Sequence, residues 1–151
     1  MKNHTVRSAG IDDLDTLVSF TLAEALEAEG SNKSSERVHE GIKTALADPA
    51  IASYWVLENS DGELIGSVSV VKEWSDWHAG FYWWIQSMFI QPEYRGQQLM
   101  SLLVDKVRQE AEDEDALEVR LYVHNDNIRA TRAYEREGFS ISPYKIMVMP
   151  L

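Results

Sequence analysis

The aromatic and apolar run from Phe81 to Ile90 constrains the fold of this chain more than any other feature. The run is too short to span a bilayer, and its composition is typical of a buried strand. Gln91-Pro92 ends it, and residues 93–98 then lead into a segment whose apolar side chains recur at helical spacing. We therefore expect a long central strand that passes through a tight turn directly into a helix.

Alternating and helical patterns predict the other elements of the fold. Further strands are predicted at residues 4–8, 53–58, 64–71, 117–123 and 144–149, and helices at residues 11–30, 35–47, 99–111 and 128–137. This order indicates a mixed α/β fold with a strand–helix–strand crossover in its second half. Neither an interdomain linker nor an internal repeat is present, so residues 1–151 are expected to form one domain.

Composition excludes several classes of function. The chain has no cysteine, which rules out disulfides and thiolate chemistry, and the spacing of its four histidines predicts no metal site. A formal net charge of −11 disfavours a nucleic-acid partner and favours a cationic one, although the same charge also serves solubility. The polar start and the lack of an apolar stretch of roughly 20 residues predict a soluble, cytoplasmic protein without membrane contact.

The turn between the central strand and the following helix predicts an anion-binding site. Such a junction directs free backbone N–H groups and the positive end of the helix dipole at one point. Arg95 adds a positive charge, and Gly96 allows positive φ or a close backbone approach. Taken alone, these residues are equally compatible with an ordinary helix start.

A second polar segment begins the last helix. Asn127 is suited to be an N-cap or a ligand amide, and the small side chain of Ala130 permits close packing against the helix. Tyr134 follows seven residues later on the same face. An isolated helical tyrosine is more often a core residue with its hydroxyl at the rim.

Residues 90–100 and 125–139 together resemble the GCN5-related N-acetyltransferase (GNAT) family. The first segment is similar to the family's Q/R-x-x-G-x-G/A motif, with Arg95 in the first position and Gln98 and Met100 in the two later ones. The second matches N-x-x-A-x-x-x-Y-E-x-x-G-F at every named position. The resemblance implies a single-domain, mixed, twisted α/β sheet of six to seven strands flanked by about four helices.

The resemblance also implies acetyl-CoA as co-substrate and assigns site residues. In the family, the central strand diverges from its neighbour, its main chain pairs with pantetheine, and the tyrosine protonates the departing thiolate, which makes Tyr134 the expected catalytic residue. The cofactor-binding residues implied are Met88, Phe89, Ile90, Arg95, Gly96, Gln97, Gln98, Leu99, Met100, Ser101, Asn127 and Ala130. Gln86 stands where several members carry a glutamate base, and a neutral amide cannot act as one.

The acceptor site is expected before and within the central strand. Its predicted residues are Glu73, Trp74, Asp76, Trp77 and Gln86. Carboxylates and indoles suit an ammonium group, but tryptophans that merely cap the core explain the same loop equally well.

The expected function is transfer of an acetyl group from acetyl-CoA to a primary amine of a small molecule or peptide. The acidity favours a small cationic acceptor, and the resemblance is compatible with a homodimer. A non-catalytic acyl-CoA sensor and an interaction module of the same fold remain alternatives.

Overall fold

The computed structural model describes residues 3–151. Its five strands are β1 (Thr5–Ser8), β2 (Ser53–Glu58), β3 (Leu64–Ser75), β4 (Gly80–Ile90) and β5 (Glu118–Leu121). Its four α-helices are α1 (Leu14–Glu29), α2 (Ser35–Ala47), α3 (Leu99–Asp113) and α4 (Ile128–Arg136). Short 3-10 turns at Ile11–Asp13 and Pro92–Tyr94 precede α1 and α3.

The strands form one mixed sheet in the order β1-β2-β3-β4-β5. The first three pairings are antiparallel, and β4 pairs with β5 in parallel through the α3 crossover. This confirms the predicted mixed α/β fold, with β4 as the long strand that precedes the turn and helix.

Helices cover both faces of the sheet. On β2, Val56 packs with residues of α1 and α2, whereas its neighbours Trp55 and Leu57 belong to the core that contains α3. Because successive side chains of a strand point to opposite faces, α1 and α2 lie on one side of the sheet and α3 on the other. None of the helices in residues 3–151 is long and apolar enough to cross a membrane.

The predicted last strand at Tyr144–Met149 is the main departure from expectation. Residues 139–151 contain no strand, and the side chains of Met147, Val148 and Met149 are exposed. The described sheet therefore has five strands rather than six or seven. Apolar alternation gives a segment the character of a strand, but a strand forms only when a neighbour accepts its hydrogen bonds.

Candidate functional site

The second half of β4 has one open edge. Its ladder with β5 ends at the pair Ile85–Leu121, whereas its pairing with β3 continues to Ile90. Residues 86–90 therefore direct backbone groups toward a gap between β4 and the chain that follows β5. The divergence implied by the family resemblance is present, and it brings the main chain of Met88, Phe89 and Ile90 to this gap.

A β-bulge lies where the open edge begins. Ser69 of β3 is opposite Ser87, and Val70 is opposite Ile85, so Gln86 has no partner on β3. A bulge of this kind re-aims the side chains next to it. Gln86 is exposed, and its neighbour Ser87 borders a cleft against α1.

The turn after β4 has the geometry of an anion site. Gly96 and Gln98 have positive φ, at 78° and 61°, and Gln98 begins α3 without a side-chain cap. The N–H groups of the first helical turn point out of the helix at its positive end. Phosphate oxygens can occupy the position that a capping side chain would otherwise take.

Arg95 does not direct its charge at this turn. Its Nε donates to the carbonyl oxygen of Ile90 (2.8 Å), and its Nη2 donates to both carboxylate oxygens of Glu27 (3.0 and 2.9 Å). The guanidinium also lies 5.4 Å from the ring centroid of Phe89. The attraction for an anion at the turn therefore comes from the backbone, and the Arg95 side chain joins the turn to α1.

The remaining residues at the start of α3 divide between core and surface. Leu99 is buried, and Met100 packs against the same core cluster. Gln97 is exposed. Ser101 donates from its hydroxyl to Glu137 at the end of α4, which ties the two helices together.

Helix α4 begins with the predicted N-cap. The N–H of Ala130 donates to Oδ1 of Asn127 (3.1 Å), and Thr131 donates from its hydroxyl to the Asn127 carbonyl (3.0 Å). This use of Oδ1 leaves the amide NH₂ of Asn127 as a donor for a ligand. The N-cap interpretation of Asn127 is confirmed.

Tyr134 lies near the C-terminal end of α4, with its ring against Phe139 at a centroid distance of 5.6 Å. Burial raises the pKa of its hydroxyl, and the negative charge of Glu24 raises it further. The group is therefore protonated throughout the physiological range and can act as a proton donor.

Glu24 was not among the predicted site residues. It lies on α1, and its carboxylate interacts with the backbone amide of Met88 and the hydroxyl of Ser87 on β4. Its Oε2 is buried without a hydrogen-bond partner among the described residues. Burial raises the pKa of Glu24 to about 7, against the lowering effect of those two partners, and Glu27 contributes a further increase.

One signal in the sequence could have identified Glu24. It follows Leu17 and Phe20 at spacings of seven and four residues, which places it on the buried face of α1. An acidic residue within an apolar stripe is uncommon unless it is paired or functional.

The four acceptor-site residues predicted in the loop before β4 lie in the β3–β4 hairpin, away from the open edge of β4. Glu73 and Trp74 belong to the end of β3, while Asp76 and Trp77 form the turn, where Trp77 is 80% exposed. Ser87 lies seven positions after Gly80 along β4, a distance of roughly 23 Å along the strand. The fold does not bring these four residues to Glu24 and Tyr134.

The two consecutive tryptophans of β4, Trp83 and Trp84, point to opposite faces of the sheet. Trp83 is in the core, whereas Trp84 is partly exposed and stacks on Tyr122 at 4.5 Å. Only Trp84 can contribute to an open surface.

The sequence is similar to those of two acetyltransferases. An aminoalkylphosphonate N-acetyltransferase from Salmonella typhimurium is 27% identical over 140 residues, which cover 93% of this chain and 87% of that protein. A mycothiol acetyltransferase from Corynebacterium aurimucosum is 32% identical over 111 residues, or 71% of this chain, but the match spans only 36% of that protein's length.

A solved structure, of a possible acetyltransferase from Clostridium difficile, matches the fold with a TM-score of 0.91 and 30% identity over 98% of this chain and 97% of that one. The acetyltransferase (GNAT) family profile matches residues 19–139, which include the open edge of β4, the turn and α4. The chain therefore belongs to the acetyltransferase (GNAT) family of enzymes.

Proposed function

We propose that this protein transfers the acetyl group of acetyl-CoA to the primary amine of a small cationic acceptor by direct attack. The observation that carries the proposal is the open edge of β4, which runs from the bulge at Gln86 to Ile90 and is followed by the uncapped start of α3. Together these features offer backbone donors for an extended amide-containing arm and a positive helix end for a pyrophosphate.

The proposed mode of acetyl-CoA binding follows from this arrangement. The pyrophosphate lies at the turn formed by residues 96–101, and the pantetheine arm extends along Met88, Phe89 and Ile90. The free amide NH₂ of Asn127 donates to the same arm from α4. The thioester then lies at the bulge end of the open edge, on the side of Tyr134.

Direct attack needs no covalent enzyme intermediate. The amine nitrogen attacks the thioester carbonyl carbon, and backbone N–H groups at the open edge stabilise the oxyanion that forms. When the carbon–sulfur bond breaks, the electron pair leaves with the sulfur as a thiolate. Tyr134 donates its proton to that thiolate, and the amine nitrogen supplies the replacement proton.

A cleft between α1 and β4 supports the acceptor class. Its volume is about 170 Å³, which suits a small molecule, and its lining includes Ser87 beside the open edge. Glu24 and Glu29 place carboxylates in its lining. Within residues 3–151, the one cation of the lining, Lys33, pairs with Glu29 at 2.9 Å and so leaves Glu24 without a cation. This balance favours an acceptor that presents an ammonium group to the end of the cleft, in agreement with the acidity of the whole chain.

The test combines binding with turnover. Acetyl-CoA is titrated calorimetrically into the full chain, and thiol release is then followed with a panel of aminoalkylphosphonates, polyamines, amino acids and peptide amines. Micromolar binding with release of one thiol per acetylated amine is expected. Binding without release for any amine would favour an acyl-CoA sensor, and absence of binding would overturn the proposal.

A further inference from the structure

Glu24 is a half-buried glutamate next to the open edge of β4, and its Oε2 atom is fully buried. It projects from α1 toward Ser87 and Met88, and together with Ser87 it lines the cleft described above. Its Oε2 has no protein hydrogen-bond partner within residues 3–151. Leaving a buried carboxylate oxygen unpaired costs stability, so a ligand that supplies the missing partner would recover that cost.

The proposed acceptor would supply that partner. An ammonium group that enters the cleft is a hydrogen-bond donor of the opposite charge, and Ser87 in the lining of the cleft is next to the proposed thioester position. Tyr134 lies close enough for the charge of Glu24 to raise its pKa. Proton acceptor and proton donor are therefore on the same side of the proposed reaction centre.

We infer that Glu24 is the general base that takes a proton from the acceptor ammonium before attack. The inference rests on the proposed function and names the group that removes the proton. It also explains how the site can work with Gln86 on β4, because the base is carried by a different element, α1.

The proton balance is complete with groups already named. The acceptor enters as R–NH₃⁺, and Glu24 takes one proton and passes it to solvent through the mouth of the cleft. The amine then forms the new C–N bond, and the C–S bond breaks. The nitrogen loses a second proton to the phenolate that Tyr134 leaves after protonating the sulfur. The products are the amide, the CoA thiol and one proton in solution.

The ionisation of Glu24 agrees with this role. Its pKa of about 7 is well above the ordinary glutamate value, so the carboxylate is poised to accept and release a proton near neutral pH. The other titratable groups that line its cleft or act on its charge are Glu27, Glu29, Lys33, Tyr54 and Tyr134. A base must be ionised to act, so activity is expected to fall as the pH decreases below about 7.

The experiment compares Glu24→Gln with the wild type and with Glu40→Gln, a control at an exposed glutamate of α2 that is not in the lining of the cleft. We expect Glu24→Gln to lower kcat about 100-fold at pH 7, within the usual range for general base catalysis. Its acetyl-CoA affinity and thermal midpoint should be retained, because a buried charge is replaced by a neutral amide of similar shape. Glu40→Gln should keep kcat within about threefold, because an exposed carboxylate away from the cleft contributes little.

The pH profile of kcat/KM distinguishes a general base from a residue that only supports the structure, because loss of a structural residue would not change the pKa seen in that profile. The wild type should show an acid limb near pH 7 in kcat/KM, and Glu24→Gln should lose it. The activity of Glu24→Gln should instead increase tenfold per pH unit up to the pKa of the acceptor, because only the free amine reacts.

The failure of this inference is distinguishable from failure of the proposed function. A wild type that binds acetyl-CoA but acetylates no amine would refute the function itself. An active wild type whose pH profile and kcat are matched by Glu24→Gln would refute only the base. A variant with raised KM and unchanged kcat would make Glu24 a binding carboxylate and would also overturn the inference.

Discussion

Arg95 donates two hydrogen bonds from Nη2 to the carboxylate of Glu27, at 3.0 and 2.9 Å, while its Nε holds the carbonyl oxygen of Ile90. The contact joins α1 to the end of β4 and to the start of the turn before α3. Glu27 is one helical turn beyond Glu24, whose pKa it raises. Glu27 thus contacts Arg95 in the proposed acetyl-CoA site and also acts on the proposed base, Glu24.

Glu27→Gln is expected to lower the pKa of Glu24. The substitution removes a nearby negative charge and leaves the charge of Arg95 uncompensated, and both changes favour the ionised form of Glu24. The acid limb of the kcat/KM profile should therefore move to lower pH. A profile that keeps its position would contradict the coupling. Glu40→Gln, on the exposed face of α2, is the control because Glu40 is not among the residues that shift the pKa of Glu24.

Tyr134→Phe tests the proton donor. Loss of the hydroxyl should lower kcat by about 100-fold or more, because the thiolate must then leave unprotonated. Acetyl-CoA affinity, measured by calorimetry, should change little, since the ring packing against Phe139 is retained. Tyr144→Phe removes a hydroxyl from an exposed tyrosine and should leave kcat unchanged. Equal activity of both variants would exclude Tyr134 as the donor.

Gly96→Ala tests the backbone of the turn. With φ at +78°, an added Cβ costs about 1 kcal/mol in backbone strain, although open space surrounds the position. We expect lower thermal stability and weaker acetyl-CoA binding. Gly41→Ala, in the middle of α2 where a Cβ also meets nothing within 4 Å, should instead raise stability by about 0.5–1 kcal/mol. Unchanged acetyl-CoA affinity in Gly96→Ala would argue against binding at this turn.

Gly66→Ala tests the packing beneath the open edge. An added Cβ would lie 2.7 Å from Cδ1 of Ile90 and 2.8 Å from the carbonyl oxygen of Phe89. The backbone oxygen cannot move without displacing β4, so we expect a loss of about 1–3 kcal/mol in unfolding free energy. Gly10→Ala, at an extended position with no atom within 4 Å, is the control. Denaturant unfolding of both variants measures the difference, and equal midpoints would refute the predicted clash.

Asp13→Asn tests the contact at the start of α1. Arg7 donates to both carboxylate oxygens of Asp13 at 2.8 and 2.9 Å, and this pairing lowers the pKa of the buried acid despite its desolvation. The substitution should lower the unfolding free energy by about 2 kcal/mol at neutral pH. Asp12→Asn, at the exposed neighbouring position, should have little effect.

The contribution of Asp13 to the free energy of unfolding is expected to decrease as the pH falls. Because the folded pKa lies below the ordinary value, the contribution is present above about pH 4 and is lost as the pH falls through the folded pKa. The stability difference between the wild type and Asp13→Asn should therefore narrow in acid. A difference that stays constant down to pH 2 would show that the charge of Asp13 is not its source.

Local patterns were sufficient for most of the secondary structure. Residues 35–47 were predicted as a helix with the bounds that α2 has, and the long strand before the turn is β4. These elements carry their own signals, such as apolar periodicity, Pro49 after α2 and Gln91-Pro92 after β4. The segment 144–149 has an equally clear apolar character, but no described strand pairs with it.

Both family motifs could be identified from the sequence because each is a continuous stretch of residues. The N-cap role of Asn127 and the positive φ of the turn are local properties of that stretch. What residues 90–100 and 125–139 could not reveal is which distant side chains face them.

Tertiary structure decided the surroundings of the site. In the folded chain, Arg95 pairs with Glu27 of α1, which is 68 residues away in the sequence. The positive charge that the sequence predicted for the turn is therefore bound to a carboxylate of α1. The fold also brings Glu24 of α1 next to Met88 of β4. The β3–β4 hairpin that contains Trp77 lies at the opposite end of β4 from these two residues.

The sequence by itself determined most of the elements and both family motifs, because those depend on neighbours in the chain, and the second motif predicts Tyr134 as the proton donor. The pairing of Arg95 and the environment that raises the pKa of Glu24 depend on packing between separate elements, and only the folded arrangement determines that.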